Sequence, residues 1–165
     1  MPKQLSKISL FSYTHAEILR DSVNARILDQ LQHNPRLTMK ELGRRIGMSS
    51  PAVTERVHRL EESGVIQGYH LDVNPIALGL PIAAYIRIRP NPGQLLKIAE
   101  IAQQISEIVE CHRVIGEDCF FMKVYLPAMD QLDKILDKFL TFGVTTTSII
   151  QSSPVPLRSI PVQVG

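Results

Sequence analysis

Residues 37–66 read LTMKELGRRIGMSSPAVTERVHRLEESGVI, and this stretch decides the fold of the first half of the chain. The part that ends at Ile46 combines a helix-capping spacing with apolar residues that recur on one helix face. Gly47 predicts the end of that helix, because glycine tolerates the backbone conformation of a sharp reversal. Ser49 or Ser50 predicts the start of a second helix, and the proline that follows is tolerated in a first turn.

Three helices are predicted around this turn. In the last helix Val53, Val57 and Leu60 form an apolar stripe, and Gly64 marks its end. An earlier stripe, which runs from Val23 to Leu31, predicts a preceding helix. A three-helix pattern with a short glycine-containing turn is typical of a helix-turn-helix, whose last helix enters the major groove of DNA.

The face of the last helix opposite the apolar stripe is the predicted DNA-reading face. Its hydroxyl, carboxylate and imidazole groups suit base edges, and nearby arginines suit phosphates. Arg56 flanks this face, and it either contacts DNA or forms an ion pair within the protein. The candidate DNA-binding residues are Arg44, Arg45, Ser49, Ser50, Pro51, Thr54, Glu55, Arg56, His58 and Arg59.

The charge distribution supports a polyanionic partner for the first half, although a charged face can also be merely solvated. Residues 36–59 contain six basic and two acidic residues, whereas the whole 165-residue chain has a net charge of only +2. Double-stranded DNA is therefore the expected partner. No apolar run approaches the length of a membrane helix, no secretory signal is visible, and two cysteines form no disulfide framework. We expect a cytoplasmic protein without a membrane partner.

The second half alternates strand and helix patterns in the order β-α-β-β-α-β. Strands are predicted over 82–89, 108–116, 119–126 and 144–152, and amphipathic helices over 93–104 and 128–141. This order is typical of the ferredoxin-like arrangement, so the fold class is α+β with a winged helix-turn-helix domain first. The predicted organisation is an extension (1–20, with a short helix over 14–20), a helix-turn-helix domain with a β wing (21–73, wing 65–73), a linker (74–81), the βαββαβ domain (82–155) and a tail (156–165).

Self-association is predicted for the second domain. Helices on one side of the sheet are expected to leave the other face apolar and open to a second copy. The tail contains three prolines and is expected to be extended and to pair only at a sheet edge. No catalytic residues, metal ligands or cofactor site are indicated, since no nucleophile–base pair, ligand spacing or phosphate loop is visible.

Several spaced motifs within residues 21–155 resemble the leucine-responsive/asparagine regulator (Lrp/AsnC) family. They are IL-x-x-L, the IGMS turn, V-x-x-RV-x-x-LE-x-x-GVI-x-GY and NP-x-x-LG. The resemblance implies a transcription factor whose helix-turn-helix spans Met39–His58, with residues 50–62 as the recognition helix. It also implies a second domain that forms dimers through packed sheets, often assembles into octamers, and commonly senses an amino acid between dimers.

The family's effector segment corresponds to VIGEDCFF in this chain. The resemblance places effector contacts at Val114, Gly116, Glu117, Asp118, Cys119 and Phe120. Cys119 stands where the family has an aspartate, so an amino-acid effector would need Glu117 or Asp118 to accept its ammonium group. A plain hairpin turn is the alternative interpretation.

Two other functions compete with a ligand-responsive regulator. One is a nucleoid-associated protein that organises chromosomal DNA without a ligand, which the departure at Cys119 favours. The other is an enzyme, because some tetrapyrrole decarboxylases have a similar two-domain architecture. That enzyme would need a basic, histidine-containing pocket in the second domain, yet residues 69–165 carry a net charge of −1.

Overall fold

The computed structural model describes residues 20–162. Within them the chain forms two compact units, one of residues 20–71 with 157–162 and the other of residues 72–156. The described helices and strands are α1 (Ser22–His33), α2 (Met39–Ile46), α3 (Ser50–Glu62), a 3-10 helix (Ile76–Leu78), β1 (Ile82–Pro90), α4 (Leu95–Gln103), β2 (Ile108–Arg113), β3 (Phe120–Leu126), α5 (Met129–Asp137) and β4 (Gly143–Ile149). Apart from Arg20, the extension and the helix predicted over 14–20 lie outside the described residues.

The first unit is built from α1, α2 and α3, as the sequence predicts. Asp21, Thr38 and Ser49 precede the three helices, and each side chain accepts a hydrogen bond from a backbone N–H in the first turn. The apolar stripes of the three helices meet in one core, formed by Ile27, Leu28, Leu31, Leu42, Ile46, Val53, Val57 and Leu60. No helix of the described chain is long and apolar enough to cross a membrane.

The turn between α2 and α3 depends on two glycines. Gly47 has a φ of 77°, the left-handed conformation that glycine adopts without strain. Gly43 is required for a different reason, because a Cβ at this position would lie 2.6 Å from the carbonyl oxygen of Met48. The Met48 N–H also donates to the Gly43 carbonyl at 2.8 Å. The backbone of α2 therefore touches the backbone of the turn directly.

The segment that follows α3 differs from the predicted β wing. Residues 65–73 contain no strand. The Ile66 N–H instead donates to the Leu60 carbonyl at 2.9 Å, and the Tyr69 hydroxyl donates to the Glu61 carboxylate at 2.9 Å. These bonds hold the segment against the end of α3, whereas an isolated two-stranded ribbon is only marginally stable.

The second unit contains one antiparallel sheet in the order β2-β3-β1-β4. Central strand β1 pairs with β3 and with β4, so that Ile86 lies opposite both Met122 and Thr147. Helices α4 and α5 cover one face and form the core with the inward side chains of β1 and β3. The predicted ferredoxin-like βαββαβ arrangement is confirmed.

The uncovered face of this sheet is mixed rather than apolar, which corrects the sequence-based expectation. The alternating apolar residues of β1, such as Ile86, are buried beneath the helices. The other side of β1 and β3 carries aromatic and basic side chains: Tyr85, Arg87, Phe121, Lys123 and Tyr125. The physical reason is that successive side chains of a strand point to opposite faces of the sheet. The apolar set of β1 lies beneath the helices, and the mixed set lies on the uncovered face.

The tail packs against the helical unit. Residues 157–162 belong to the helical unit, and Val162 packs partly buried against its core. The boundary after the helical unit falls between Leu71 and Asp72, slightly before the predicted linker. Proline spacing alone could not reveal this return, because the contact partners are distant in sequence.

We predict that Gly43→Val destabilises the protein by more than about 2 kcal/mol, because the added side chain must displace the Met48 carbonyl. Lys40→Val is the matched control, since it adds the same β-branched side chain at an exposed position of α2. Urea unfolding followed by circular dichroism measures both. Helix propensity alone favours valine over glycine, so a loss in Gly43→Val no larger than the loss in Lys40→Val would contradict the close backbone contact as its cause.

Candidate functional site

The exposed face of α3 gathers most of the residues predicted to contact DNA. Val53, Val57 and Leu60 face the core, Ala52 and Arg56 are half-buried beside them, and the opposite positions are exposed. The outward stripe is continuous along the helix and consists of Pro51, Thr54, Glu55, His58 and Arg59.

The amino-terminal end of α3 is held by its own side chains. The Ser49 hydroxyl accepts from the Ala52 N–H at 3.4 Å, and the Thr54 hydroxyl donates to the Ser50 carbonyl at 2.8 Å. Thr54 is exposed, and its oxygen keeps lone pairs that can accept a further hydrogen bond. This end of the helix is therefore both capped and able to meet a ligand.

Arg56 turns away from the outward stripe and into the protein. Its guanidinium donates to the Asn24 side-chain oxygen at 2.9 Å and to the Asp21 carboxylate. The hydrogen bond from Arg56 lowers the pKa of Asp21. Of the two roles considered from the sequence, the structure therefore provides the intramolecular ion pair, which joins α3 to the start of α1.

Arg44 and Arg45 share a single carboxylate. The Arg44 guanidinium contacts both oxygens of Glu41, at 2.8 and 2.9 Å, and the Arg45 Nε lies 3.0 Å from one of them. Hydrogen bonds from Arg44 and then Arg45 lower the pKa of Glu41 to about 2. The carboxylate is consequently ionised at any pH near neutral, and the three side chains together carry one net positive charge.

Arg59 and His58, on the outward stripe, also have carboxylate partners. Arg59 Nε lies 2.9 Å from Glu55, and the His58 ring lies 3.2 Å from Glu62. All of these groups are largely exposed, so each pair contributes little to stability and can exchange for another anion. Sequence reasoning missed Glu41 as a partner, although its spacing of three and four residues from two arginines was a usable signal.

The second candidate site is the turn between β2 and β3. The Val114 N–H donates to the Cys119 carbonyl at 2.8 Å, which closes the turn. Gly116 has a φ of 148°, a conformation that side chains rarely adopt, so a glycine is required there. The Cys119 thiol donates to the Gly116 carbonyl at 3.4 Å.

The acidic residues of this turn are already paired with arginines of β1. Glu117 lies 2.6 Å from Arg89, and Asp118 lies 3.5 Å from Arg87 and 3.7 Å from Arg89. An ammonium group would therefore have to share or displace a guanidinium.

The structure does not support Phe120 as one of the predicted effector contacts. It is only 2% exposed and pairs with Ile88 on the side of the sheet that the helices cover. A residue buried in that core cannot line a site at the turn. The alternation of β3 explains the placement, because Phe121 occupies the other face.

Comparisons with known proteins agree with both halves of the chain. A family profile described as winged helix-turn-helix DNA-binding matches residues 20–67, and one described as Lrp/AsnC ligand binding domain matches residues 83–160. The HTH-type transcriptional regulator LrpC of Bacillus subtilis is 31% identical over 132 residues, which cover 80% of this chain and 92% of the relative.

Solved structures give the same assignment. The structure of B. subtilis LrpC matches with a TM-score of 0.77, at 31% identity over 81% of this chain and 95% of that one. The feast or famine regulatory protein from Mycobacterium tuberculosis, complexed with L-methionine, matches with a TM-score of 0.79, at 31% identity over 85% and 97%. The chain therefore belongs to the Lrp/AsnC family of DNA-binding transcriptional regulators, with a helix-turn-helix unit followed by a ligand-binding domain.

Proposed function

We propose that α3 is the recognition helix and reads operator DNA from the major groove. The observation that carries this proposal is the continuous exposed stripe of α3, which begins at a capped helix end and contains groups able to bond base edges. Ser50, Thr54, Glu55 and His58 are the base-contacting candidates. Glutamate suits the amino group of cytosine, and threonine suits several base edges.

Arg44, Arg45 and Arg59 are proposed to bind phosphates. Each is exposed and lies beside the recognition helix or on it. Glu55 is exposed and pairs with one arginine, whereas Glu41 is half-buried and shared by two, so a phosphate displaces the carboxylate more readily at Arg59 than at Arg44 and Arg45. Because each arginine already has a carboxylate partner, the phosphates of DNA must compete with Glu41 and Glu55 for the guanidinium groups.

The second unit is proposed to form a homo-oligomer through the open face of its sheet. Tyr85 and Phe121 lie on that face, on the paired strands β1 and β3, with 42% and 37% of their surface exposed. A second copy would bury them and form a dimer, and the family resemblance extends this to an octamer. For a protein that acts on chromosomal DNA, we propose a cytoplasmic location in association with the nucleoid.

An amino acid is proposed as the effector, bound at the turn that runs from Val114 to Cys119. The relative complexed with L-methionine supports this ligand class. Backbone N–H groups of the turn suit a carboxylate, and Glu117 or Asp118 suits the ammonium group. Since both carboxylates are paired with arginines and Cys119 replaces an aspartate, the expected affinity is weak.

We predict that Arg44→Ala and Arg59→Ala each weaken binding to all DNA sequences and reduce the slope of log K against log salt by about 1, because one phosphate contact is lost. Glu41→Gln is expected to act in the opposite direction, since it releases two arginines from their carboxylate. Fluorescence anisotropy on specific and random duplexes, at a series of salt concentrations, measures these effects.

Arg113→Ala controls for net charge, because Arg113 lies on β2 in the other unit. A change of base preference with an unchanged salt slope in Arg44→Ala or Arg59→Ala would contradict the phosphate assignment. Weaker binding by Glu41→Gln would show that Glu41 orients the two arginines rather than competing with DNA.

We predict that Cys119→Asp strengthens amino-acid binding, because it restores an acceptor for the ammonium group. Calorimetry with methionine and a panel of other amino acids measures the affinity, and light scattering on the same samples gives the assembly mass. Cys111→Asp is the matched control, since it makes the same exchange on β2 outside the turn.

A substitution at Gly116 would not test the site, since any side chain strains the backbone at that φ whether or not a ligand binds there. An equal gain in both cysteine variants would place the ligand elsewhere. Absence of any ligand response, together with an even-numbered assembly on DNA, would favour the DNA-organising alternative.

A further inference from the structure

The turn between β2 and β3 carries two acidic side chains that contact two arginines of β1. Arg87 and Arg89 alternate along β1 with its buried residues, so both lie on the uncovered face of the sheet. Glu117 lies 2.6 Å from Arg89, and Asp118 lies 3.5 Å from Arg87 and 3.7 Å from Arg89. We call these four side chains the turn cluster. Its two positive and two negative charges balance, so a charged ligand binds there by replacing an existing ion pair.

The two acidic side chains hold the arginines to different degrees. Asp118 is only 25% exposed and contacts both guanidinium groups, whereas Glu117 is 81% exposed and contacts Arg89. An exposed ion pair contributes little to stability, because solvent screens it and both side chains lose conformational freedom. The Arg89–Glu117 pair is therefore the one that a ligand can replace. Asp118 keeps the guanidinium of Arg89 beside the turn when Glu117 leaves it.

The thiol of Cys119 is directed at the backbone of the turn. It donates to the Gly116 carbonyl at 3.4 Å and to the Glu117 carbonyl at 3.8 Å. A thiol is a weak acceptor, so it is a poor partner for an ammonium group. An amino-acid ligand must therefore obtain its acceptor from the turn cluster, and Glu117 is the more exposed of the two carboxylates there.

We propose, resting on the proposed effector site at this turn, that an amino acid replaces the Arg89–Glu117 pair: Arg89 binds its carboxylate and Glu117 binds its ammonium group. The planar guanidinium can donate two parallel hydrogen bonds to a carboxylate, which a single backbone N–H cannot do. A zwitterion supplies one group of each sign, so both side chains regain a partner after the exchange. A molecule with only one of these groups leaves Arg89 or Glu117 without the partner it had. The ligand class is therefore a free amino acid, in preference to its amide or its 2-oxo acid.

The first test compares methionine with methionine amide, which lacks the carboxylate charge. Calorimetry on the full chain at about pH 6, where the amino group of each ligand is protonated, measures the affinities. The wild-type chain should prefer methionine about tenfold or more, as expected for a hydrogen bond between charged groups. Arg89→Gln should lose this preference, because its affinity for methionine falls and Glu117 becomes free to bind the amide. Arg36→Gln is the matched control, since it removes an exposed arginine of the helical unit and should keep the wild-type preference.

An unchanged preference for methionine in Arg89→Gln would overturn the role of Arg89, and would show that another group, such as the backbone N–H groups of the turn, binds the carboxylate. The proposed effector function would survive that result. A wild-type chain that binds neither methionine nor any other amino acid would overturn the effector function together with the ion-pair exchange. The two failures are therefore distinguishable.

The second test removes the other charge, and it keeps the proposal testable where Arg89→Gln disturbs the sheet. Glu117→Gln should bind methionine about tenfold more weakly than the wild type, because the ammonium group loses its carboxylate partner. The 2-oxo acid of methionine has no ammonium group, and it should bind this variant at least as well as the wild type, since Arg89 is released. Glu100→Gln is the matched control, because Glu100 is also an exposed glutamate with a basic partner, Lys97 on α4. Equal methionine affinities in Glu117→Gln and Glu100→Gln would overturn the exchange.

Discussion

The contact between Gly43 and the carbonyl of Met48 is the constraint on which the DNA-binding unit depends. Only a residue without a Cβ allows the backbone of α2 to lie against the turn, and this approach sets where α3 begins. The caps at Thr38 and Ser49 then fix the helix starts. Once α3 is placed, burial of its apolar stripe leaves the opposite stripe facing solvent, and Arg56 ties the helix to α1.

In the proposed function, the ion pairs of the helical unit lower its unspecific attraction to DNA. Although residues 36–59 are clearly basic, Arg44, Arg45 and Arg59 each have a carboxylate partner. The exposed Arg59–Glu55 pair is weak, and we propose that phosphates replace the carboxylates at these arginines when the helix fits its site. Binding then depends more on the match between α3 and the bases, which is what a regulator that must find few sites among many requires.

The sequence predicts features whose causes are local and leaves out those that depend on distant contacts. Caps, helix stripes and the βαββαβ order follow from spacings of a few residues, and the structure confirms them. The partner of Arg56 lies 35 positions away, and the burial of Phe120 depends on the register between strands. The packing of Val162 spans most of the chain. Glu41 is a local feature that the sequence analysis missed. Its spacing of three and four residues from Arg44 and Arg45 would have predicted the shared carboxylate.

The outward stripe of α3 is proposed to lie in the major groove, and site-specific photo-crosslinking can locate it there. A photoreactive amino acid replaces Thr54, or His33 at the exposed end of α1 as the control, and genomic DNA retained by the protein supplies the sites. We expect crosslinks from position 54 to bases, at thymine methyl groups that are exposed only in the major groove. Base crosslinks from position 33, with none from position 54, would contradict it.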